Sequence, residues 1–591
     1  MRSIKRPRPE TVHAASLMTR AAQKRLLLPI LLFLLLACCL SILPAHATTE
    51  ATNTPSSSPA ASRPPLQPPP NANAGTAADG THQAPPSDST PSARHRVLFV
   101  VTHNVPRGKF HHLELLAAPH GLTVEGRYLD SIPAQSGPEV FRGYDAVFIE
   151  SPLEQDVRAH LGRALTELQT PFIWLSAQHP AWQGFTDEQA KPLVAYYVNG
   201  GSRNFEGFFR LLASAMDYQP APADLPPPLE IPQVGVYHPQ APDLVFPDVP
   251  AFLRWRGVAD PRPPTIAILM HRQYLDSIET GMIDDLVARI EKQGAIAMPI
   301  FDRMLPKGSL RQLLRPDENQ PPLADVIINT QIMLNAEGRR SEFTELGLPV
   351  IQANRYRHGD AAAWQADAQG LSMMEVPFFL AQPEYAGIAD IQISAATRKP
   401  HDDVVPIPAQ AQAVADRALA LARLQRKPAG QQQLALMFWN YPAGEKNLSS
   451  SYMNIPRSLG NTADALREAG YDIPSLPPEE ELITRLQRLL APAYSHERPA
   501  LLKQLLADGL AAPLPLARYR QWLDTLPEAT RQALLARWGD PARTLSVVDW
   551  QGEPVFAIPR LQLGKLAILP QPGRAEPGPD GNIDREKALY H

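Results

Sequence analysis

Residues Leu434–Tyr471 read LALMFWNYPAGEKNLSSSYMNIPRSLGNTADALREAGY, and this stretch decides the fold. Its first apolar residues predict a buried strand that runs into Asn440-Tyr441-Pro442. A polar loop follows, and then a helix that ends at Gly470. This order puts polar groups at the carboxyl end of a strand and at a helix start, which is where open α/β sheets bind their ligands.

Continuous apolar runs of similar length recur on both sides of this stretch and alternate with helical patterns. The runs that we predict as strands are Arg96–Thr102, Ala146–Glu150, Pro171–Ser176, Thr265–Met270, Ala297–Phe301, Asp325–Thr330, Leu348–Ala353, Pro554–Pro559 and Lys565–Pro572. The predicted helices are Gln155–Leu168, Phe205–Met216, Gly281–Gly294, Pro406–Arg426, Glu479–Leu506 and Pro515–Trp538. Strands that are apolar on both faces are typical of parallel sheets. We therefore predict a multi-domain α/β fold with parallel, flavodoxin-like sheets and helices on both faces.

The same patterns predict the domain boundaries. The proline-rich segment Pro220–Pro232 interrupts the first set of strands, and a second set begins near Pro264. The predicted parts are a signal peptide (1–47), a linker (48–94), a first α/β domain (95–216), a connector (217–263), a second α/β domain (264–400), a bridging helix (401–432) and a third α/β region (433–591).

The N-terminus has the pattern of an export signal. Basic residues precede the apolar run Leu26–Leu43, and Ala45-His46-Ala47 fits the small-residue rule for cleavage after Ala47. The pattern predicts a periplasmic protein, with a retained inner-membrane anchor as the alternative and a lipoprotein processed at Cys38 as a third interpretation. The linker is rich in Pro, Ser, Thr and Ala, a composition that predicts disorder.

Composition excludes several classes of function. Both cysteines, Cys38 and Cys39, fall in the predicted signal, so we expect no disulfide and no thiolate metal site after cleavage. The formal net charge of -4 has no basic excess that would indicate nucleic-acid binding. The sequence has no G-x-x-x-x-G-K-[ST] loop, so we do not expect this chain to hydrolyse ATP by itself.

Three further motifs carry candidate chemistry. The turn Asn199-Gly200-Gly201 precedes an apolar helix, so its backbone N–H groups suit an anion, although a tight structural turn explains it equally well. His238 follows a short apolar run and is expected near Trp255, either as a ligand-facing group or as a solvated histidine. Glu384 lies between proline and glycine, where a carboxylate assists proton removal or caps a turn.

A weaker pattern concerns metal binding. His111 and Glu114 are spaced to share one helix face, and His103 lies nearby in the sequence. Two or three such groups do not close a metal site, so a polar helix start is the preferred interpretation.

Short motifs in a fixed order resemble the CobN-type large subunit of cobaltochelatase and its counterpart in magnesium chelatase, the H subunit. The motifs are Tyr197-Val198-Asn199-Gly200-Gly201, Gly235-Val236-Tyr237-His238-Pro239, Ile327-Ile328-Asn329-Thr330, Pro349-Val350-Ile351-Gln352-Ala353, Pro383-Glu384, Asn440-Tyr441-Pro442 with Asn447, Trp538-Gly539-Asp540-Pro541, and Gln571-Pro572 with Arg574, leading to Tyr590-His591. The resemblance extends from His95 to His591.

This resemblance implies a tetrapyrrole-binding subunit. Cobalt enters the corrin hydrogenobyrinate a,c-diamide, or magnesium enters a porphyrin, while separate AAA+ subunits use ATP. The metal ion is then a substrate, and the macrocycle and the AAA+ subunits are the partners. The resemblance makes His238, Glu384 and His591 the candidates for acid–base or metal-relay roles. The implied substrate-binding residues are Asn440, Tyr441, Asn447, Arg574, Asn199, Gly200 and Gly201.

The sequence departs from the family pattern in three ways. Many relatives have Gly-Leu-Asp where this chain has Tyr452-Met453-Asn454, which removes a carboxylate. Family members continue far beyond Tyr590-His591, so we expect part of the subunit to be absent. An export signal would place the chain away from ATP. The first hypothesis is therefore the N-terminal part of a cobaltochelatase subunit, the second a non-enzymatic periplasmic binding protein, and the third a scaffold without a ligand.

Overall fold

The computed structural model describes residues 94–571 except 104, 152, 176–179, 242–243, 259–261 and 303–307. The predicted signal peptide, nearly all of the predicted linker, Arg574 and His591 lie outside the described residues. The chain divides into two compact units, the first ending at Ala422 and the second beginning at Arg423.

The first sheet of the first unit contains five strands. They are β1 His95–Val101, β2 Leu122–Tyr128, β3 Ala146–Glu150, β4 Phe172–Trp174 and β5 Ala181–Gln183. Their order is β2-β1-β3-β4-β5, with the first four parallel and β5 antiparallel. The accompanying helices are α1 Gly108–Ala117, α2 Glu154–Leu161, α3 Arg163–Thr166, α4 Asp187–Asn199 and α5 Ser202–Met216.

Strand β1 shows why its sequence is apolar throughout. Val97 and Phe99 pack into one hydrophobic cluster with residues of α1, α4 and α5, whereas Leu98 and Val100 pack into a second cluster on the other face. Because side chains alternate between the faces of a strand, a sheet covered on both faces needs an apolar residue at every position. The predicted strand, and the prediction of helices on both faces, are confirmed.

The second sheet contains eight strands in the order β13-β12-β11-β10-β8-β9-β6-β7. The strands are β6 Gly235–Tyr237, β7 Val245–Phe246, β8 Thr265–His271, β9 Ile296–Asp302, β10 Val326–Asn329, β11 Val350–Arg355, β12 Asp390–Arg398 and β13 Asp403–Pro406. Strands β8 to β12 are parallel and follow the flavodoxin-like order 2-1-3-4-5, whereas β6, β7 and β13 pair antiparallel.

The helices around the second sheet are α6 Val249–Trp255, α7 Gln273–Asp276, α8 Gly281–Glu291, α9 Ser309–Leu314, α10 Ala336–Leu346, α11 Ala361–Ala366, α12 Gln382–Tyr385 and α13 Pro408–Arg426. The segment predicted as a connector contributes β6 and β7 to the sheet. These strands are too short to show the periodicity that reveals a strand in sequence.

The second unit differs from the predicted flavodoxin-like plan. Its strands are β14 Leu434–Phe438, β15 Ser449–Ser450, β16 Met453–Asn454, β17 Ala511–Pro515, β18 Val547–Trp550, β19 Glu553–Pro559, β20 Leu561–Leu563 and β21 Leu566–Pro570. They form one mixed sheet, β14-β21-β20, an antiparallel sheet, β17-β19-β18, and the hairpin β15-β16.

The helices of the second unit are shorter than predicted. They are α14 Ile455–Glu468, α15 Glu479–Leu490, α16 Arg498–Ala507, α17 Leu516–Leu523 and α18 Glu528–Trp538. Pro492 lies two residues after the end of α15, and Pro527 lies directly before α18. Proline lacks the N–H that continues a helix, so each long predicted helix becomes two.

None of the helices within the described ranges is both long and apolar enough to cross a membrane. The apolar run Leu26–Leu43, which carries the predicted signal or anchor, lies outside those ranges.

Candidate functional site

The loop after β14, residues Trp439–Asn454, is organised by two asparagines, and we call it the Asn440 loop. Asn440 is only 5% exposed, and its Nδ2 donates to the Gly444 carbonyl at 2.7 Å and lies 3.3 Å from the Tyr494 hydroxyl. The buried Asn440 amide therefore holds the start of the loop in place. The predicted position at the carboxyl end of a strand is confirmed.

Asn447 holds the middle of the same loop. Its Nδ2 donates to the Pro442 carbonyl, while its Oδ1 accepts from the Ser449 N–H at 3.2 Å and from the Ser449 hydroxyl at 2.7 Å. The Tyr441 N–H in turn donates to the Ser449 carbonyl at 2.8 Å. Two of the predicted substrate-binding residues, Asn440 and Asn447, thus determine the shape of the loop that displays another of them, Tyr441.

Large apolar side chains are exposed on and beside this loop, and we call them the aromatic patch: Met437, Trp439, Tyr441, Tyr452 and Met453. Tyr441 is 58% exposed, and Tyr452 is fully exposed. The rings of Trp439 and Tyr441 meet edge to face, with their centroids 6.4 Å apart. Exposed aromatic side chains in contact with each other, as Trp439 and Tyr441 are here, are candidates for a binding surface.

The backbone under Tyr452 is strained. Ser451 and Tyr452 have φ values of +45° and +73°, a region that residues with a Cβ avoid. Ser451 and Tyr452 connect β15 and β16, and a two-residue hairpin turn commonly requires positive φ at both positions. Here it turns the Tyr452 ring outward.

An open pocket of about 310 Å³ adjoins the aromatic patch and shares Tyr452 and Met453 with it. Lys446, Ser449 and Gln487 contribute polar groups to the pocket, and its lining contains no acidic side chain. Asn454 also lines the pocket, but its Oδ1 accepts from the Arg457 N–H at 3.0 Å and caps α14. The lysine ammonium, together with the amide and hydroxyl groups, can form hydrogen bonds with a carboxylate or an amide of a ligand.

The turn Asn199-Gly200-Gly201 belongs to the first unit and is packed on both sides. Asn199 Nδ2 donates to the Ala195 carbonyl at 2.8 Å, and Gly201 N–H donates to the Leu275 carbonyl at 3.1 Å. A Cβ at Gly200 would lie 2.7 Å from the Cα of Asp276. The contacts at this turn are those of a tight joint between α4 and α5.

His238 is fully buried in the first unit. Its Nδ1 accepts from the Gln240 N–H at 3.2 Å, which places the ring proton on Nε2, 3.2 Å from a Glu291 carboxylate oxygen. The predicted neighbour is confirmed, because the Trp255 ring centroid lies 4.9 Å away. As it stands, the imidazole is enclosed and does not face solvent.

Glu384 has the opposite environment. It is exposed and lies in the short helix α12 instead of the predicted loop. An exposed carboxylate is free to meet a ligand, whereas the buried His238 needs its surroundings to move first. The third candidate for an acid–base role, His591, lies outside the described residues.

The histidines near the start of α1 do not assemble into a metal site. His103 Nε2 lies 3.2 Å from Asp130, and the His111 ring stacks on His401 with centroids 3.9 Å apart. Across the part of the chain that the structure describes, no group of three or more His, Cys, Asp or Glu side chains is arranged to hold a metal ion.

Sequence reasoning missed a buried charged cluster in the first unit. Lys109 is nearly fully buried, and its Nζ contacts both Glu150 oxygens, at 2.8 and 3.0 Å. Tyr197 donates to Glu150 at 2.7 Å, and burial raises the pKa of this tyrosine well above its ordinary value. Glu279 and Asp403 lie beside Gly108 in the same cluster. A glutamate that ends an apolar strand, as Glu150 does, was the available signal.

These features define an α/β protein with two flavodoxin-like sheets and, in the second unit, a polar loop with exposed aromatic side chains at a strand end. The family model described as CobN/Magnesium Chelatase matches residues 194–591. The chain belongs to this CobN/magnesium chelatase family, as the resemblance of the motifs predicts.

Two relatives show how far the similarity extends. The chain is 27% identical over 399 residues to the aerobic cobaltochelatase subunit CobN of Pseudomonas aeruginosa, covering 64% of this chain and 29% of that protein. It is 23% identical over 421 residues to the magnesium-chelatase H protein of Rhodobacter capsulatus, covering 64% of this chain and 32% of that protein.

The fold is also that of a solved structure. The catalytic subunit of cobaltochelatase from Mycobacterium tuberculosis superposes with a TM-score of 0.59 and 20% identity, covering 81% of this chain and 39% of that one. The chain thus spans about a third of the length of these relatives.

Proposed function

We propose that this chain is the tetrapyrrole-binding, N-terminal part of the large subunit of a cobaltochelatase-like complex. That complex would insert cobalt into a corrin ring, hydrogenobyrinate a,c-diamide, with magnesium and a porphyrin as the related pair. Family membership over residues 194–591 supports a chelatase subunit. The observation that carries the proposal to a site is the aromatic patch beside the Asn440 loop.

The chemistry of the patch suits a flat macrocycle. A tetrapyrrole offers two broad faces, and aromatic side chains bind such faces by stacking while excluding water. Met437 and Met453 add polarizable thioether groups that adapt to an irregular ligand edge. The ring would lie against Trp439, Tyr441 and Tyr452.

The adjoining pocket would take a peripheral arm of the ring. Corrin precursors carry amide and carboxylate arms, and Lys446, Ser449 and Gln487 offer one cation and neutral hydrogen-bonding groups. Asn440 and Asn447 act indirectly in this arrangement, because their amides hold the loop that supports both surfaces. Arg574, which lies outside the described residues, is a further candidate for a carboxylate arm.

Metal insertion also requires a group that removes two pyrrole protons. Glu384 is the exposed candidate among the described residues, and His238 and His591 remain candidates for the same role. ATP would be hydrolysed by separate AAA+ subunits, in keeping with the missing phosphate-loop motif in this sequence. Cobalt or magnesium would enter as a substrate.

The export pattern at the N-terminus favours a second candidate function. In that case the chain is a non-catalytic periplasmic protein that binds a tetrapyrrole or a metal chelate, held at the inner membrane if the signal is retained. Both proposed functions place the macrocycle on the aromatic patch. They differ in whether metal insertion follows and in the cellular compartment.

Two measurements separate these proposals. The purified chain is titrated with a metal-free corrin and with a porphyrin, and the absorbance of the macrocycle is followed. We expect a saturable spectral shift, and the absence of any binding to the folded chain would refute both functions. Cobalt insertion is then assayed with ATP, the AAA+ subunits and the remainder of the large subunit. Insertion that depends on this chain supports the chelatase, and binding without insertion supports the periplasmic carrier.

A further inference from the structure

Two carboxylates converge on one glycine inside the first unit. A Cβ added to Gly108 would lie 2.8 Å from a Glu279 oxygen and 3.3 Å from Asp403 Oδ1. Gly108 begins α1 after strand β1, Glu279 follows strand β8, and Asp403 begins β13. The start of α1, which follows β1 of the first sheet, therefore lies close to two parts of the second sheet. These are the segment that follows β8 and the edge strand β13.

Both carboxylates are removed from water. Glu279 is 5% exposed and Asp403 is 6% exposed. Asp403 Oδ2 accepts from Arg398 at 3.1 Å, but its Oδ1 is buried without a hydrogen-bond partner. His112 Nε2 lies 4.0 Å from this Oδ1, which is beyond hydrogen-bond distance. Buried carboxylate oxygens are almost always hydrogen-bonded, so the unpartnered Oδ1 requires a donor.

We propose that Glu279 is protonated while this contact is closed, that its carboxyl group donates to Asp403 Oδ1, and that the pair forms a proton-controlled latch between the two sheets of the first unit. Loss of the proton leaves two adjacent buried anions. Their repulsion and the cost of keeping a second charge out of water then favour an open contact.

Two of the surrounding cations are already engaged, one with Asp403 itself and one with Glu150. Lys109 of α1 is engaged with Glu150, and Arg398 of β12 is engaged with Asp403. Arg355 of β11 and Lys109 lower the pKa of Glu279, but burial dominates and, together with the Asp403 charge, raises it to about 7.

Two other titratable groups lie close to the pair. Burial lowers the pKa of His112, on α1, although the Asp403 charge opposes this effect. Burial also raises the pKa of Tyr128, on β2, to about 12, with Arg107 as the charged group beside it. Tyr128 therefore stays neutral throughout this pH window, and burial disfavours the charged form of His112.

The latch lies beside the edge of each sheet at which a ligand is expected to bind. In both sheets the order reverses beside the first strand, at β1 and at β8, and α/β sheets bind ligands in the crevice outside such a reversal. Opening the contact around Gly108 would expose the carboxyl ends of both strands. Proton release would therefore control access to a crevice between the two sheets.

The sign of the pH dependence follows from linkage. A carboxyl group whose pKa in the closed state exceeds its ordinary value stabilises that state fully below the ordinary value of 4.5. The stabilisation is lost as pH rises from 4.5 to about 7, and it does not change further at higher pH. The ratio of closed to open molecules should fall about 300-fold across this window.

Hydrogen exchange of the full chain tests the latch. Amide exchange is measured at pH 5 and pH 8, corrected for the intrinsic pH dependence, in peptides that cover 271–281 and 105–112. We expect much faster corrected exchange at pH 8. Glu279→Gln keeps a neutral donor toward Asp403, so it should exchange slowly at both pH values. Glu342→Gln, at another buried glutamate of this unit, is the matched control and should retain the wild-type pH response.

Three results would overturn the proposal. They are equal corrected exchange at pH 5 and pH 8 in the unaltered chain, a Glu279→Gln variant with the wild-type pH response, and a Glu342→Gln variant that loses it. Asp403→Asn provides a second variant if Glu279→Gln does not fold. It should reduce the difference in corrected exchange between pH 5 and pH 8, because the charge that repels ionised Glu279 is removed. An unchanged response in Asp403→Asn would equally contradict the latch.

Discussion

Adding one methyl group at Gly200 should destabilise the first unit severely. Gly200 has φ +68° and ψ -174°, a conformation that is essentially confined to glycine. The new Cβ would also lie 2.7 Å from the Cα of Asp276, and a backbone atom cannot move aside as a flexible side chain can. The substitution Gly200→Ala therefore combines backbone strain with a steric clash.

The two contributions can be estimated separately. The unfavourable backbone conformation costs about 1–3 kcal/mol. Overpacking against a fixed neighbour costs a further ~1–3 kcal/mol. We expect a loss of about 4 kcal/mol in the free energy of unfolding, which is a large part of the stability of a typical domain.

Gly347 offers a matched control in the same unit. It has φ +64° and ψ +25°, in the left-handed helical region, and a Cβ there would meet nothing within 4 Å. Gly347→Ala should therefore cost only the backbone penalty, about 1–2 kcal/mol. The difference between the two variants isolates the contact with Asp276.

The assay is urea unfolding read by hydrogen exchange in peptides of α5, which reports on the first unit alone. Equal destabilisation by Gly200→Ala and Gly347→Ala would refute the reasoning. A Gly200→Ala variant that is stable but binds an anion more weakly would instead support the interpretation of this turn as a ligand site.

Two further predictions concern a helix cap and a carboxylate. Asn454→Ala should lower the free energy of unfolding of the second unit by about 1 kcal/mol, because the Arg457 N–H loses its acceptor. Asn454→Asp should keep the helix cap and the stability, and urea unfolding of both variants measures the difference. Burial alone would raise the pKa of Glu375, but hydrogen bonds from Ser372 and His358 hold it below its ordinary value of 4.5. Its stabilisation is therefore present above that value and is lost as pH falls through the lowered pKa. Glu375→Gln should cost about 2 kcal/mol at pH 7 and flatten the acid side of the stability curve, and a curve that keeps the wild-type acid slope would contradict this.

Strands that are buried on both faces could be predicted closely from the sequence. Ala146–Glu150 was predicted with the bounds that the structure has, because its apolar residues pack into the cores on both faces of the sheet. The short strands Gly235–Tyr237 and Val245–Phe246 could not be predicted, because a two- or three-residue strand depends on its neighbours in the sheet. The strands of the second unit were also predicted as parallel, because their apolar runs resemble those of the first unit. An apolar run does not by itself show the direction of the neighbouring strand.

The site was predictable only in outline. The position of Asn440 at a strand end follows from the sequence, but the direction of its amide depends on Gly444 and on the distant Tyr494. His238 was correctly expected near Trp255, yet its burial against Glu291 depends on helix α8. Glu150 at the end of an apolar strand was a local signal for the buried cluster, but Glu279 and Asp403 are far apart in the sequence and meet only in the folded chain.

The most direct test of the account is whether the aromatic patch binds the macrocycle. The affinity for a metal-free corrin is measured by absorbance titration for the unaltered chain, for Trp439→Ala and for Tyr441→Ala, with Trp522→Ala as a control at another exposed tryptophan of the second unit. Each patch variant should bind at least about fivefold more weakly, since a stacked aromatic ring contributes about 1 kcal/mol, and Trp522→Ala should bind as the unaltered chain does. Identical affinity in all four proteins would contradict the proposed binding surface.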